Sequence, residues 1–153
     1  MKKLILLLLF IPLFVHAQGN ADCIKYKGQT LIKATIRNLI QFYYSSEDDL
    51  RLLAAKCGYV SPSEGQYMKS IDNHSYAITK GKGYIAMYIN KDDNEFKRIS
   101  QELKPYLVGL AEGGFSFSFT NSGVEFYLAA TDSDIAPNMV KIYMTEVMAK
   151  GHN

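Results

Sequence analysis

The chain has 153 residues, a formal charge of +2, two cysteines, no tryptophan and eleven tyrosines. Its 48% apolar and 21% charged content excludes a disordered or low-complexity chain. The length suits one domain, and so small a charge lacks the basic excess of a dedicated nucleic-acid binder.

Lys2 and Lys3 precede an apolar run from Leu4 to Val15, and Val15 and Ala17 sit at the −3 and −1 positions before Gln18. A basic start, a short apolar run and a small-residue cleavage site are the layout of a secretory signal peptide, and the segment resembles bacterial export signals. The run is 12 residues long and contains Pro12, whereas a membrane-spanning helix needs about 20. Residues 1–17 are therefore expected to be cleaved. Residues 18–153 are expected to work in the periplasm or outside the cell, with no stable membrane insertion. Removing 17 of the 153 residues leaves 136, and losing Lys2 and Lys3 brings the basic residues from 17 to 15, equal to the 15 acidic ones. A mature charge of zero supplies no field to steer phosphate or anionic lipid.

Both cysteines, Cys23 and Cys57, remain after cleavage. An oxidising compartment turns such a pair into a disulfide, here with a single possible connectivity. No CxxC or HxxxH spacing points to zinc, so neither a metal nor any other cofactor is expected.

Residues 18–28 read as an exposed lead-in. From Thr30, the 3–4 residue spacing of Ile32, Ile36, Leu39, Ile40 and Tyr43 predicts a helix. Ser46 and Asp49 then form a capping pattern for a second helix through Leu50, Leu53, Ala54 and Cys57, closed by Gly58. Residues 59–74, with Pro62, Gly65, Asp72 and Asn73, read mainly as loop. Ser75–Thr79 and Tyr84–Asn90 flank Lys80-Gly81-Lys82-Gly83 and predict a hairpin. A helix is expected next, capped by Asp92, Asp93 and Asn94 and carrying Phe96, Ile99, Leu103, Tyr106, Leu107 and Leu110. Pro105 should kink or split it. Phe115–Thr120 and Val124–Thr131 flank Asn121-Ser122-Gly123 as a second hairpin. Asp132, Ser133 and Asp134 read as caps of a final helix marked by Met139, Val140, Tyr143 and Val147. Gly83 and Gly123 are 40 residues apart, as are Asp92 and Asp132, which suggests one motif used twice.

The fold class that follows is α+β: a helical N-terminal region, then two hairpin–helix units whose four antiparallel strands pack on helices. Period two assigns the strand faces. Tyr76, Ile78, Ile85, Met87 and Ile89 share one face of the first hairpin; Phe115, Phe117, Phe119, Val124, Phe126 and Leu128 share one face of the second. The opposite face carries Tyr84, Tyr88 and Tyr127 above alanines and serines. Tyrosine offers large, stiff contact area with a polar tip, so these three form the candidate binding surface.

Candidate chemistry is sparse. His74, beside Asp72 and Ser75, lacks a nucleophile-elbow pattern. Lys80-Gly81-Lys82-Gly83 lacks the Walker pattern, and Asp132-Ser133-Asp134 lacks the glycine and glutamate of a calcium loop. The expected function is a small exported, non-catalytic binding protein whose partner is a protein, a peptide or a cell-envelope component, with an inhibitor or immunity-like role among the options. The alternatives are a small hydrolase using His74 and a small-ligand carrier. The carrier would need an apolar pocket behind the Phe115–Phe119 strand.

Overall fold

Alternation of inward and outward side chains extends well beyond the two expected hairpins and builds most of the molecule. The computed structural model describes residues 23–147. The signal read at 1–17 lies outside the described residues.

Cys23–Tyr26 (β1) and Gln29–Ile32 (β2) form a small hairpin. Its turn residues Lys27 and Gly28 both have positive φ, 48° and 78°, the twist that suits a two-residue hairpin loop. Two helices follow, Ile36–Tyr44 (α1) and Glu47–Lys56 (α2). Thr35 caps α1 by accepting the amide of Asn38 at 3.1 Å. Ser46 caps α2 by accepting the amide of Asp49 at 3.2 Å, as the capping pattern predicts. Glu47, Asp48 and Asp49 occupy the first turn of α2, where carboxylates interact favourably with the helix dipole.

The chain then lays down Val60–Ser63 (β3), Gln66–Ile71 (β4), His74–Gly81 (β5) and Tyr84–Asn90 (β6). It crosses by Asn94–Leu103 (α3) and a 3-10 turn, Lys104–Tyr106. It continues as Leu107–Ala111 (β7), Gly114–Asn121 (β8), Val124–Asp132 (β9) and Met139–Glu146 (β10). All eight of these strands form one antiparallel sheet in the order β3-β4-β5-β6-β10-β9-β8-β7. It is two four-stranded meanders whose last strands, β6 and β10, meet at the centre.

This corrects the expected four-stranded sheet on helices: the described residues are mostly β, with three short α-helices among them. The lead-in contains β1, and Thr30 lies in β2, so α1 begins later than the spacing suggests. Residues 59–74 are not loop but β3 and β4. Asp72 and Asn73, both at positive φ, make the tight turn into β5. The helix expected to run to Leu110 stops at Leu103, just before Pro105, which has no amide proton to continue the ladder. Leu107 onward becomes β7. The expected final helix is β10: Val140, Ile142 and Met144 point to one face and Lys141, Tyr143 and Thr145 to the other. The 40-residue repeat covers the β5–β6 and β8–β9 hairpins and ends at Asp132, where one unit continues into a helix and the other into a strand.

The hairpin faces agree with the period-two reading. Phe119 pairs with Phe126 and Phe117 with Leu128; Ile78 pairs with Met87. These side chains, with Ile85, Ile142 and Met144 from the central strands, are buried against Leu31, Leu39, Phe42, Leu50 and Ile99 of the covering elements. α1 packs on β6 and β10, and α3 on β6. The Cys23–Cys57 disulfide ties β1 to the end of α2. A closed loop of 34 residues contributes about 3–4 kcal/mol in the chain-entropy account. Lys80 reaches across from β5 to the C-terminal end of α1, donating to the carbonyls of Phe42 and Tyr43 at 2.7 Å and to that of Ser45. A cation there complements the negative end of the helix.

Candidate functional site

Among the described residues the helices all lie on one face of the sheet, and the tyrosines singled out by sequence stand on the other. In register, Tyr84 of β6 faces Thr145 of β10, which faces Tyr127 of β9. Tyr84 and Tyr127 are thus two strands apart, roughly 10 Å at the usual spacing. Tyr88 is buried; Lys141 lies over its ring at 5.8 Å and Met139 packs in the same small cluster. The sequence reading missed Tyr143, which β10 places between Ala86 and Ala129. Its ring stacks on Tyr84 at 5.5 Å. Assigning residues 139–147 to a helix concealed this placement; the alternation of Val140, Ile142 and Met144 was the available signal.

His74 opens β5, and its Nδ1 meets the side-chain amide of Asn90. Among the described residues no hydroxyl or carboxylate hydrogen-bonds to it. No group of three or more His, Cys, Asp or Glu side chains there could hold a metal. Asp132 is not a helix cap but pairs with Lys91 at 2.7 Å. The Lys80–Gly83 segment serves as strand ends and hairpin turn.

The N-terminus of α3 holds the two buried carboxylates among the described residues, Asp93 and Glu95. Asp93 occupies the cap position, where its carbonyl accepts the amide of Phe96 at 3.1 Å but its side chain makes no capping bond. Its carboxylate instead accepts the hydroxyls of Tyr26, at 2.7 Å, and Tyr76. Glu95 is buried, takes both guanidinium nitrogens of Arg98, and accepts the amide of Ala34 at 2.9 Å. These bonds clamp the segment before α1 to α3.

A second concave feature lies on the helix side. Between α3 and strands β8 to β10 is a cleft of about 320 Å³. Ile99 and Leu103 of α3, Phe115 and Phe117 of β8, Ala130 of β9 and Ile142 of β10 form its apolar walls. Lys91, Ser100, Lys104, Thr131 and Asp132 supply its few polar groups. It opens beside Leu107 and Phe115, which are 51% and 52% exposed. The Phe115–Phe119 alternation pointed to this wall. The opposite wall could not be read from sequence, because it depends on where α3 stops and β10 lies.

Several tyrosines carry raised pKa values. The hydrogen bond from Tyr44 to Glu146 (2.6 Å), followed by burial, pushes Tyr44 up to about 12. Burial raises Tyr59. Burial, then the bond to Glu47, raises Tyr67, and burial, then the bond to Asp93, raises Tyr76. Unfolded tyrosine titrates near 10. Above that pH the unfolded chain releases protons that the folded chain retains. The stabilisation is therefore complete below pH 10 and is lost as pH climbs from 10 through 12 and beyond. Denaturant midpoints measured from pH 8 to 12 should fall across that window, with tyrosinate absorbance rising cooperatively at unfolding. Smooth ionisation of all eleven tyrosines near pH 10 in an intact fold would contradict the assignment.

No known protein family, curated protein or solved structure matches the chain. The site must be judged on its own chemistry.

Proposed function

We propose that the protein is an exported, non-catalytic binding protein that takes an apolar ligand in the cleft between α3 and β8–β10. The lining carries this reading: leucine, isoleucine, valine and phenylalanine walls with a few polar groups are the usual composition of a small-molecule site. A volume near 320 Å³ lies at the small end of the roughly 300–1,000 Å³ typical of such sites. Lys104 and Ser100 can orient a polar end while the body of the ligand leaves water. The bridge between Cys23 and Cys57 supports the exported address, since disulfides persist in oxidising compartments. The tyrosine face, where Tyr84, Tyr127 and Tyr143 are half-buried, remains a second reading, favoured by the Tyr84–Tyr143 stack over an alanine floor.

One titration separates the two. The fluorescent apolar probe N-phenyl-1-naphthylamine should be taken up saturably by the wild-type protein. Ala130→Phe fills the cleft and should weaken uptake by about tenfold or more, the equivalent of losing at least 1.4 kcal/mol of binding. Tyr127→Ala should leave uptake unchanged. Equal uptake by wild type and Ala130→Phe, or none by either, defeats the cleft reading; loss in Tyr127→Ala alone moves the site to the tyrosine face.

A further inference from the structure

The cleft beside α3 has a shape and a charge as well as an apolar lining. Phe96, Ile99, Ser100, Leu103 and Lys104 line it from α3 and the turn that ends it. Their 3–4 residue spacing is that of one helix face, so the cleft follows that face for roughly 12 Å at the usual rise per residue. Opposite, Phe115, Ala130 and Ile142 sit side by side on β8, β9 and β10, because Phe115 pairs with Ala130 and Ala130 with Ile142. An alanine between two larger side chains leaves a hollow under the helix. A groove with a helix stripe for one wall and a hollow one residue wide for the other takes an unbranched chain more readily than a broad ring system.

Three of the lining residues are charged: Lys91, Lys104 and Asp132. Two cations and one anion leave the lining at +1. Lys91 is neutralised by Asp132 at 2.7 Å, so the surplus charge belongs to Lys104. Lys104 has no ion-pair partner among the described residues. It is exposed, whereas its neighbour Leu103 is buried, which sets an ammonium at the wet margin of an apolar slot. Ser100 lies one turn earlier on the same face and adds a hydroxyl donor.

We propose that the cleft takes a single-chain alkyl carboxylate, a free medium-chain fatty acid, with its tail between α3 and Ala130 and its head on Lys104 and Ser100. The proposal rests on the cleft reading and names the ligand class for it. A carboxyl of this kind ionises at about 4.3, like glutamate, so it meets Lys104 as an anion at neutral pH. A neutral chain would leave the ammonium without a partner, and a cationic amphiphile would be repelled by it. The tail leaves water along the helix stripe while the head stays at the surface, the division that the lining itself makes.

The test is calorimetric titration of the exported protein at neutral pH with decanoate, decanol and decylamine, which share one chain and differ in the charge of the head. Decanoate should bind about fivefold tighter than decanol, the upper range for an ion pair at a solvated margin, and decylamine should bind more weakly than either. Octanoate should bind about 15-fold more weakly than decanoate, the usual worth of two buried methylenes. Lys104→Met should remove the difference between decanoate and decanol, and Lys104→Glu should hand the advantage to decylamine. Ala130→Phe should weaken all three. Equal affinity for decanoate and decanol in wild type, or a difference that survives Lys104→Met, overturns the carboxylate assignment; if Ala130→Phe still weakens all three, the cleft reading stands without it. Binding indifferent to Ala130→Phe overturns both. No binding of any of the three overturns the proposal, and uptake of the naphthylamine probe by wild type then decides whether the cleft reading falls with it.

Discussion

Arg98→Met is expected to destabilise the protein by about 3–5 kcal/mol, the usual penalty for stranding one partner of a buried ion pair. Glu95 is only 3% exposed and loses its charged partner once the guanidinium is gone. Burial already pulls the pKa of Arg98 down, so both members have lost solvation and depend on each other. The penalty has a second part, because Arg98 also donates to the carbonyl of Ala34. Removing both charges, as Glu95→Leu with Arg98→Met, should recover part of the loss. The recovery stays incomplete because the amide of Ala34 then loses its acceptor, at about 1–3 kcal/mol for a buried donor. Urea denaturation of wild type, single and double variants measures this. A single-variant loss below about 1 kcal/mol would show that the pair behaves as a solvated surface bridge.

Phe126→Ala should cost a similar amount, about 3–5 kcal/mol for truncating a fully buried aromatic. Phe126 stacks on Phe119 at 5.4 Å and receives the ring edges of Tyr43 at 5.7 Å and Tyr44 at 6.1 Å. Such pairs add about 0.5–1.5 kcal/mol each beyond area burial. These two tyrosines close α1, so the cavity would loosen that helix end first. Hydrogen exchange in the last turn of α1 should accelerate more than exchange in α3. Uniform acceleration, or a loss below about 2 kcal/mol, would place the anchoring of α1 elsewhere, since truncations at this kind of site rarely cost so little.

The parts of the fold legible in sequence are those decided locally. Ser46 and Asp49 announce a cap within four residues. The serine–phenylalanine alternation fixes the faces of β8 and β9 without any knowledge of what covers them. Two cysteines admit one bridge. The missed strands were decided by distant partners. Met139 to Val147 satisfies both a helical and a strand period, and β6 and β9 settle the choice by pairing with it on both sides. In β4 the inward set is Tyr67, Lys69 and Ile71. The lysine breaks the apolar pattern because its ammonium reaches the carbonyl of Cys57 at 2.9 Å. β7 has no alternation at all, and only Pro105 hints that its leucines do not continue the helix. For the candidate site, one phenylalanine wall and three of the tyrosines were readable. The cleft itself was not, since its walls come from elements that meet only in the folded chain.

The join between β6 and β10 dictates the order in which the molecule can be completed. Ile85 lies opposite Met144 and Tyr84 opposite Thr145, and β10 follows every other strand in the chain. Until β10 is delivered, β6 and β9 each present a raw edge, and the two meanders have no common strand between them. The middle of the sheet, not its margin, therefore waits for the final segment. Folding cannot advance steadily from the first residue, and closure across such long separations is slow. A chain cut before Met139 would lose the keystone between its two halves, whereas removing the four residues of β3 would only trim an edge.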